Sequence, residues 1–430
     1  MINLARRLLR GALAFRAQLV RAISGKSTGT QNDGANAVAV DSAGNLLLAG
    51  TTATTVAGWV AKFDAAGTLA WQRKQSLAAA WVTLRVAVDG SDNVYAGGRG
   101  YVSAAPYLPM LFKYSSAGAL QWQRQLTSAD SSLLAGLCTS AGGDSYVLLS
   151  AQPATPYTVL AKYSSAGALQ WQRNLSSTYT TSATLMAFAA DGGLVLAGIF
   201  YDGANAVANS RGIIAKYDTS GAIQWQYKFH WSATQVNVGG LAVDAATGDI
   251  YVTGGYLVSG TLAAFIAKFN SAGTHQWSRR HPTASTSLGA ATVDAATGAV
   301  YAAGNSPTPS ITCWDASGTL LWERTIAGDG SAQVSVTALA VSGPELLACL
   351  HAAKTGNGLD AVLLRMPLTG GAATTCGYLV LTEPTASVYT TPSAPTVAAA
   401  GLTDAAASHT DAAGTATEAA GVMTFTNYTN

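Results

Sequence analysis

Apolar and polar residues alternate along most of this chain in short runs, and Gly, Asp or Asn interrupts them before a helix could complete three turns. The run 241–254, Leu-Ala-Val-Asp-Ala-Ala-Thr-Gly-Asp-Ile-Tyr-Val-Thr-Gly, is typical: two β-rich segments flank an Asp–Gly turn, the signature of a hairpin. A second hairpin follows at 266–279, Ile-Ala-Lys-Phe-Asn-Ser-Ala-Gly-Thr-His-Gln-Trp-Ser-Arg. Here an apolar strand ends in Lys-aromatic, Gly supplies the turn, and the return strand carries Trp and then Arg.

Near-copies of the second hairpin occupy 60–73, 111–124, 160–173, 214–227 and 311–324. Their tryptophans, Trp71, Trp122, Trp171, Trp225, Trp277 and Trp322, are 51, 49, 54, 52 and 45 residues apart. Copies of the first hairpin occur at 37–50, 86–98, 135–149, 186–198, 291–304 and 339–350. The last second hairpin is degenerate: 363–370 supplies its strand and turn, and 376–381, with Tyr378, stands where a Trp strand belongs. Seven units of two hairpins predict an all-β, seven-bladed β-propeller of four-stranded antiparallel blades over 34–381.

The units Ala242-Val243-Asp244, Ala267-Lys268-Phe269 and Gly273-x-x-x-Trp277 resemble the bacterial "beta-propeller repeat" (SBBP-type) family. The resemblance implies the architecture and little about activity, because a propeller is a scaffold. The run 217–225 is also similar to pyrroloquinoline-quinone enzyme propellers, but the adjacent cysteines common in those enzymes do not occur here.

Side chains alternate along a strand, so Trp and the Arg two residues later share a face, with Lys62, Lys113, Lys162, Lys216 and Lys268 opposite. The expectation is a packing motif in which lysines lie on the tryptophans, since a ring of basic binding residues would be more irregular. Antiparallel order puts the short A–B and C–D turns on one face and the irregular B–C and D–A loops on the other. Variable loops on a rigid frame are where recognition resides. They carry Trp81, Tyr101, Tyr107, Tyr157, Tyr179, Tyr201, Trp231 and Tyr256, which we read as candidate partner- or glycan-binding residues.

Residues 1–33 hold Arg6, Arg7, Arg10, Arg16 and Arg21 before the first acid, Asp33. Leu4, Leu8, Phe15, Leu19 and Ile23 recur at helical spacing and predict a basic amphipathic N-terminal helix. Arginines interrupt every apolar run, which argues against a signal peptide or a membrane span. The tail, 382–430, is rich in Ala, Thr, Ser and Gly and closes on the strand-like 422–429. Arg6, Arg7, Arg10, Phe15, Arg16 and Leu19 at one end, with Phe425 and Tyr428 at the other, are the expected assembly-docking residues, the alternatives for the helix being an anionic membrane surface or solvent. The strand closing the extended C-terminal arm is suited to adding onto a neighbour's sheet edge, the plainer alternative being that it pairs with a blade of its own propeller.

Charged residues make up only 11% of the chain and net charge is +2, so the propeller is not expected to bind nucleic acid. The five histidines form no metal motif and no nucleophile elbow occurs, so we expect no cofactor, no metal and no enzymatic activity. The four cysteines show no metal-site spacing and are expected to be buried free thiols, with one disulfide, Cys349–Cys376, left open. Together these features predict a structural or interaction protein present in many copies. Its expected place is a bacteriophage virion, as tail, fibre or head decoration, with partners among virion proteins and a host receptor or glycan. The alternative is a secreted or surface propeller that binds a glycan or protein.

Overall fold

The computed structural model describes residues 18–24, 34–52, 57–76, 80–101, 108–127, 132–151, 157–176, 181–201, 210–231, 235–258, 260–284, 287–305, 309–328, 334–353, 359–370, 374–376, 379–382, 396–399, 403–406, 410–413, 417–420 and 424–426. Every element among them is a β-strand. Six blades are consecutive four-stranded meanders over 34–76, 80–127, 132–176, 181–230, 236–284 and 288–327. Blade one shows the plan, with strands Gly34–Val40, Leu46–Thr52, Ala57–Phe63 and Leu69–Ser76 paired in that order. The second and third strands are almost wholly buried, as strands sandwiched between neighbouring blades must be.

Each innermost strand carries one bulge at the same place, at Asn36, Leu84, Ala135, Thr184, Gly239, Gly289 and Thr337. An extra residue tightens the local twist, so one bulge per inner strand lets seven sheets converge on a common axis. Thr337 Oγ1 donates to the Ala35 carbonyl (2.7 Å) and Asn36 Nδ2 to the Thr83 carbonyl (2.9 Å), tying blade seven to one and one to two. Trp59, Phe63, Leu48, Leu347 and Leu363 form a common core across the same seam, so the ring is closed.

Blade seven corrects two expectations. Val334–Ser342, Glu345–Ala353 and Leu359–Pro367 supply three strands, and the fourth is Gln18–Ser24 from the other end of the chain. The N-terminal helix is therefore overturned where it can be checked, and no helix occurs among the described residues; residues 1–17 lie outside them. Leu19 faces Leu364, and after a bulge Arg21 faces Leu363. The physical cause is the open edge of Leu359–Pro367, whose unpaired backbone groups outweigh a helical periodicity over a few residues. The strand expected at 376–381 does not join blade seven either. Thr374–Cys376 and Leu379–Thr382 pair as a hairpin on the outer edge of blade six.

The C-terminal arm follows the plainer of its two readings and pairs with its own propeller. Thr396–Ala399, Thr403–Ala406, Thr410–Ala413 and Thr417–Ala420 add a fifth strand to blades four, three, two and one in turn. Thr424–Thr426 then pairs with Gln18–Ser24, so the strand holding Phe425 joins its own propeller. The five starts are seven residues apart, and each opening Thr faces His230, Ser176, Thr127, Ser76 or Ser24. In the first four the facing residue stands five places beyond the marker Trp. A heptad of sequence thus matches one step around the rim. A segment this poor in large apolar residues cannot bury a core of its own, and the blade edges supply its order as backbone hydrogen bonds.

Candidate functional site

The repeated Trp and Arg are staples between blades. Trp71 Nε1 donates to the Ser116 carbonyl in the next blade (3.0 Å), and Arg73 Nε to the Gly118 carbonyl (2.7 Å). Trp122 and Arg124 bond Ser165 and Gly167 at 3.0 and 2.6 Å, and Trp171 and Arg173 bond Thr219 and Gly221 at 3.2 and 3.1 Å. Trp277 and Trp322 reach Ala316 and Leu368, each at 3.0 Å, with Arg279 and Arg324 on Gly318 and Gly370. From blade seven, Arg365 Nη1 donates to the Ala65 carbonyl of blade one (2.6 Å). The turn glycine sits flat on the ring: Gly118 has φ +81°, and a Cβ there would lie 2.7 Å from Trp71. Only glycine fits both the left-handed backbone and the close approach.

The cation–π partners are not those expected. Arginine guanidinium groups, not lysines, lie over the tryptophans, at 5.3–5.9 Å. Lys113, Lys162 and Lys268 lie over Tyr95, Tyr146 and Tyr251 of the second strand, at 5.1–5.6 Å. Each strand-C lysine also meets a carboxylate from the first hairpin. The pairs are Lys62–Asp41 (2.8 Å), Lys113–Asp89 (3.9 Å), Lys162–Asp144 (2.9 Å), Lys216–Asp191 (2.6 Å) and Lys268–Asp249 (2.7 Å). Burial alone would raise the Asp41 carboxyl, but Lys62 and Asn45 hold it below the ordinary carboxylate range. On the turn face each of these lysines is thus already paired within its own blade.

The Trp–Arg staple is missing at two seams among the described residues: from blade seven to blade one, where Arg365 acts alone, and between blades four and five. Tyr227 stands where the other Trp strands carry Arg, and Val195 faces Lys216 where Tyr95, Tyr146 and Tyr251 face their lysines. Tyr227 stacks on Trp225, with ring centroids 5.4 Å apart and planes 26° from parallel. It also takes the place over the turn glycine: a Cβ on Gly273 would lie 2.5 Å from the Tyr227 ring. The Trp225 indole N–H then has no hydrogen bond to the Ser271 carbonyl, the equivalent of Ser116 and Ser165. A cleft of about 370 Å³ opens there, lined by Trp225, Ser271, Lys216, Asp191, Asp218 and Gln224 among others. Lys216 is the main reason the Asp191 carboxyl lies below its ordinary range, and the Ser220 hydroxyl the main reason for Asp218.

The loop-face residues fare unevenly. Trp231 and Tyr256 are 3% and 4% exposed, so they are core. Their rings stack at 4.7 Å, and Phe265 lies 4.6 Å from Trp231. Trp231 directly follows the strand Ile223–His230 and Tyr256 lies within the strand Ile250–Val258, so both are drawn into the seam between blades four and five. Tyr157 and Tyr201 are half-buried, Tyr157 packing on the cluster shared by blades two and three. Trp81 and Tyr101 are strand residues of blade two, their backbones facing Gly100 and Ala80. Tyr107, Tyr179, Arg6, Arg7, Arg10, Phe15, Arg16 and Tyr428 lie outside the described residues. The structure therefore brings Trp231 and Tyr256 together but in the interior. Cys349 is a free buried thiol in blade seven, whereas Cys376 lies in the hairpin edging blade six, so the disulfide left open does not form. Among the described residues no three His, Cys, Asp or Glu side chains gather as a metal-binding group.

No family model matches the chain, and no curated protein matches it. Among solved structures it is similar to one from the "Mitotic Checkpoint Complex" (12% identity, TM-score 0.49), covering 82% of this chain and 92% of that one. It is also similar to Saccharomyces cerevisiae Sqt1 (8%, TM-score 0.48), covering 84% and 97%. A protein of unknown function from Bacteroides caccae shares 12% identity at a TM-score of 0.36, covering 60% and 92%. At these scores the likenesses carry no argument, and the seven-bladed architecture rests on the strand pairing itself.

Proposed function

We propose that this protein is a non-enzymatic interaction scaffold that presents its loop face to a partner. The observation that carries this reading is the asymmetry between the faces. On the turn face, indole, guanidinium and ammonium groups are bonded to neighbouring turns, while the opposite connections vary from two residues (259–260) to eight (202–209). Function is carried where side chains are not already committed to the frame.

Within that reading, its place is a bacteriophage virion, as a tail, fibre or head-decoration component whose loop face serves attachment. The low charge, 11% of residues, suits a surface held permanently in an assembly. The arginines at positions 6, 7, 10 and 16 directly precede a rim strand and are the candidate contacts with other virion proteins. Fractionation of the source culture tests it. The protein should co-sediment with DNA-filled particles through a density gradient, and antibody labelling should mark one substructure. Recovery only as free protein in the medium would exclude the virion and favour a secreted or surface propeller.

A further inference from the structure

We propose that the cleft between blades four and five is a binding site for a neutral sugar ring, on the face opposite the irregular loops and independent of the virion reading. The argument starts from what the other blades do. At five seams the indole N–H of one blade donates to a turn carbonyl of the next, so donor and acceptor satisfy each other. At the fourth seam both groups are present, Trp225 and Ser271, both line the cleft, and the bond between them is open. A hydroxyl can accept from an indole N–H and donate to a carbonyl at once.

The rest of the lining suits a polyol. Trp225 offers an aromatic wall of the kind on which sugar C–H faces stack, and Gln224, whose amide nitrogen donates to Asp218 Oδ2 (3.1 Å) and the Ala222 carbonyl (3.4 Å), offers its side-chain oxygen as an acceptor at the margin. Lys216 is already paired with Asp191, and Asp218 adds a second carboxylate, so the three carry a formal charge of −1 that repels anions. Tyr227 stacks on Trp225 but does not line the cleft, so the cage of rings that a quaternary ammonium requires is not built. A neutral ring with several hydroxyls is what remains.

Saturation-transfer NMR on the full-length protein tests this, with free neutral hexoses, N-acetylhexosamines and pentoses at about 10 mM, enough to populate a millimolar site. Glucuronate and choline serve as charged controls. At least one neutral sugar should receive saturation. Tyr227→Arg, which restores the repeat's guanidinium opposite Gly273, should reseat the indole, close the cleft and abolish the signal. Gln224→Ala, an exposed change, should weaken it at least severalfold with the circular dichroism spectrum unchanged, which keeps the test valid if Tyr227→Arg folds poorly. Absence of signal from every neutral sugar, stronger signals from the charged controls, or a sugar signal untouched by both variants would each overturn the proposal.

Discussion

Trp122 in blade two donates its indole N–H to the carbonyl of Ser165 in blade three, 3.0 Å away. The contact links residues 43 apart in sequence, and near-equivalents recur around the ring. Trp122→Phe keeps most of the ring but loses the donor, and should cost about 1 kcal/mol in urea unfolding. Gly167→Ala should cost more, since its φ of +78° alone is worth about 1–2 kcal/mol to a residue with a Cβ, and that Cβ would meet the Trp122 ring at 2.8 Å. Equal and negligible effects from both would show that the staples do not hold the blades together.

Trp231 is a stability residue. Stacked on Tyr256 and packed against Phe229 and Phe265, it should cost about 3–5 kcal/mol when replaced by Ala. An unchanged melting temperature would return it to the surface.

Ending the chain after Thr382 removes the strands that edge blades one to four and seven. The outer-strand amides of Leu120–Thr127 and Leu169–Ser176 that face the arm should then exchange faster with solvent. The exposed edges should also make the truncated protein more prone to aggregate. Unchanged exchange would show that the arm does not lie on those edges.

The pH dependence follows from carboxylates such as Asp41 and Asp191, held below their ordinary range in the folded state. A depressed folded pKa means that the unfolded chain takes up protons first, so the stabilisation is present above the ordinary value of 3.8. It is lost as pH falls from there towards the folded pKa. The melting temperature should begin to decline as pH falls below 6.5, where the unfolded chain protonates His275 and His351, whose folded pKa burial depresses, and should fall more steeply below about 4. Asp41→Asn should lower stability at pH 7 and flatten the acid limb; an unchanged limb would remove the Lys62–Asp41 pair from the account.

Much of the frame was legible because the marker Trp and the Lys-aromatic pair recur in nearly every unit, and period-two alternation fixes which residues share a face. The acceptors of the Trp and Arg staples were not, because Ser165 and Gly167 act through carbonyls, which no side-chain identity reports. The spacing of Leu19 and Ile23 fits a helix in isolation, and only the missing Trp strand of the seventh unit hints that a strand from elsewhere was needed. The heptad beginning Thr403-Asp404-Ala405-Ala406 is visible in the tail but looks like low complexity until the rim gives it a template. Tyr227 for Arg and Val195 for Tyr were readable as departures from the repeat, though the cleft they leave depends on packing between blades.

Completion of the seventh blade by Gln18–Ser24 is the claim on which the architecture depends most, and a cross-link tests it directly. Ala22 faces Val362 across the junction of blade seven, a spacing between adjacent strands that a disulfide can bridge. The native thiols Cys138 and Cys313 are pushed up to about 12, chiefly by burial, and should compete little. The double variant Ala22→Cys/Val362→Cys should form an intramolecular disulfide under mild oxidation, detected by mass spectrometry of the non-reduced digest, and should raise the melting temperature. Failure of the two cysteines to join while the protein remains folded would mean that the N-terminal segment does not complete the seventh blade.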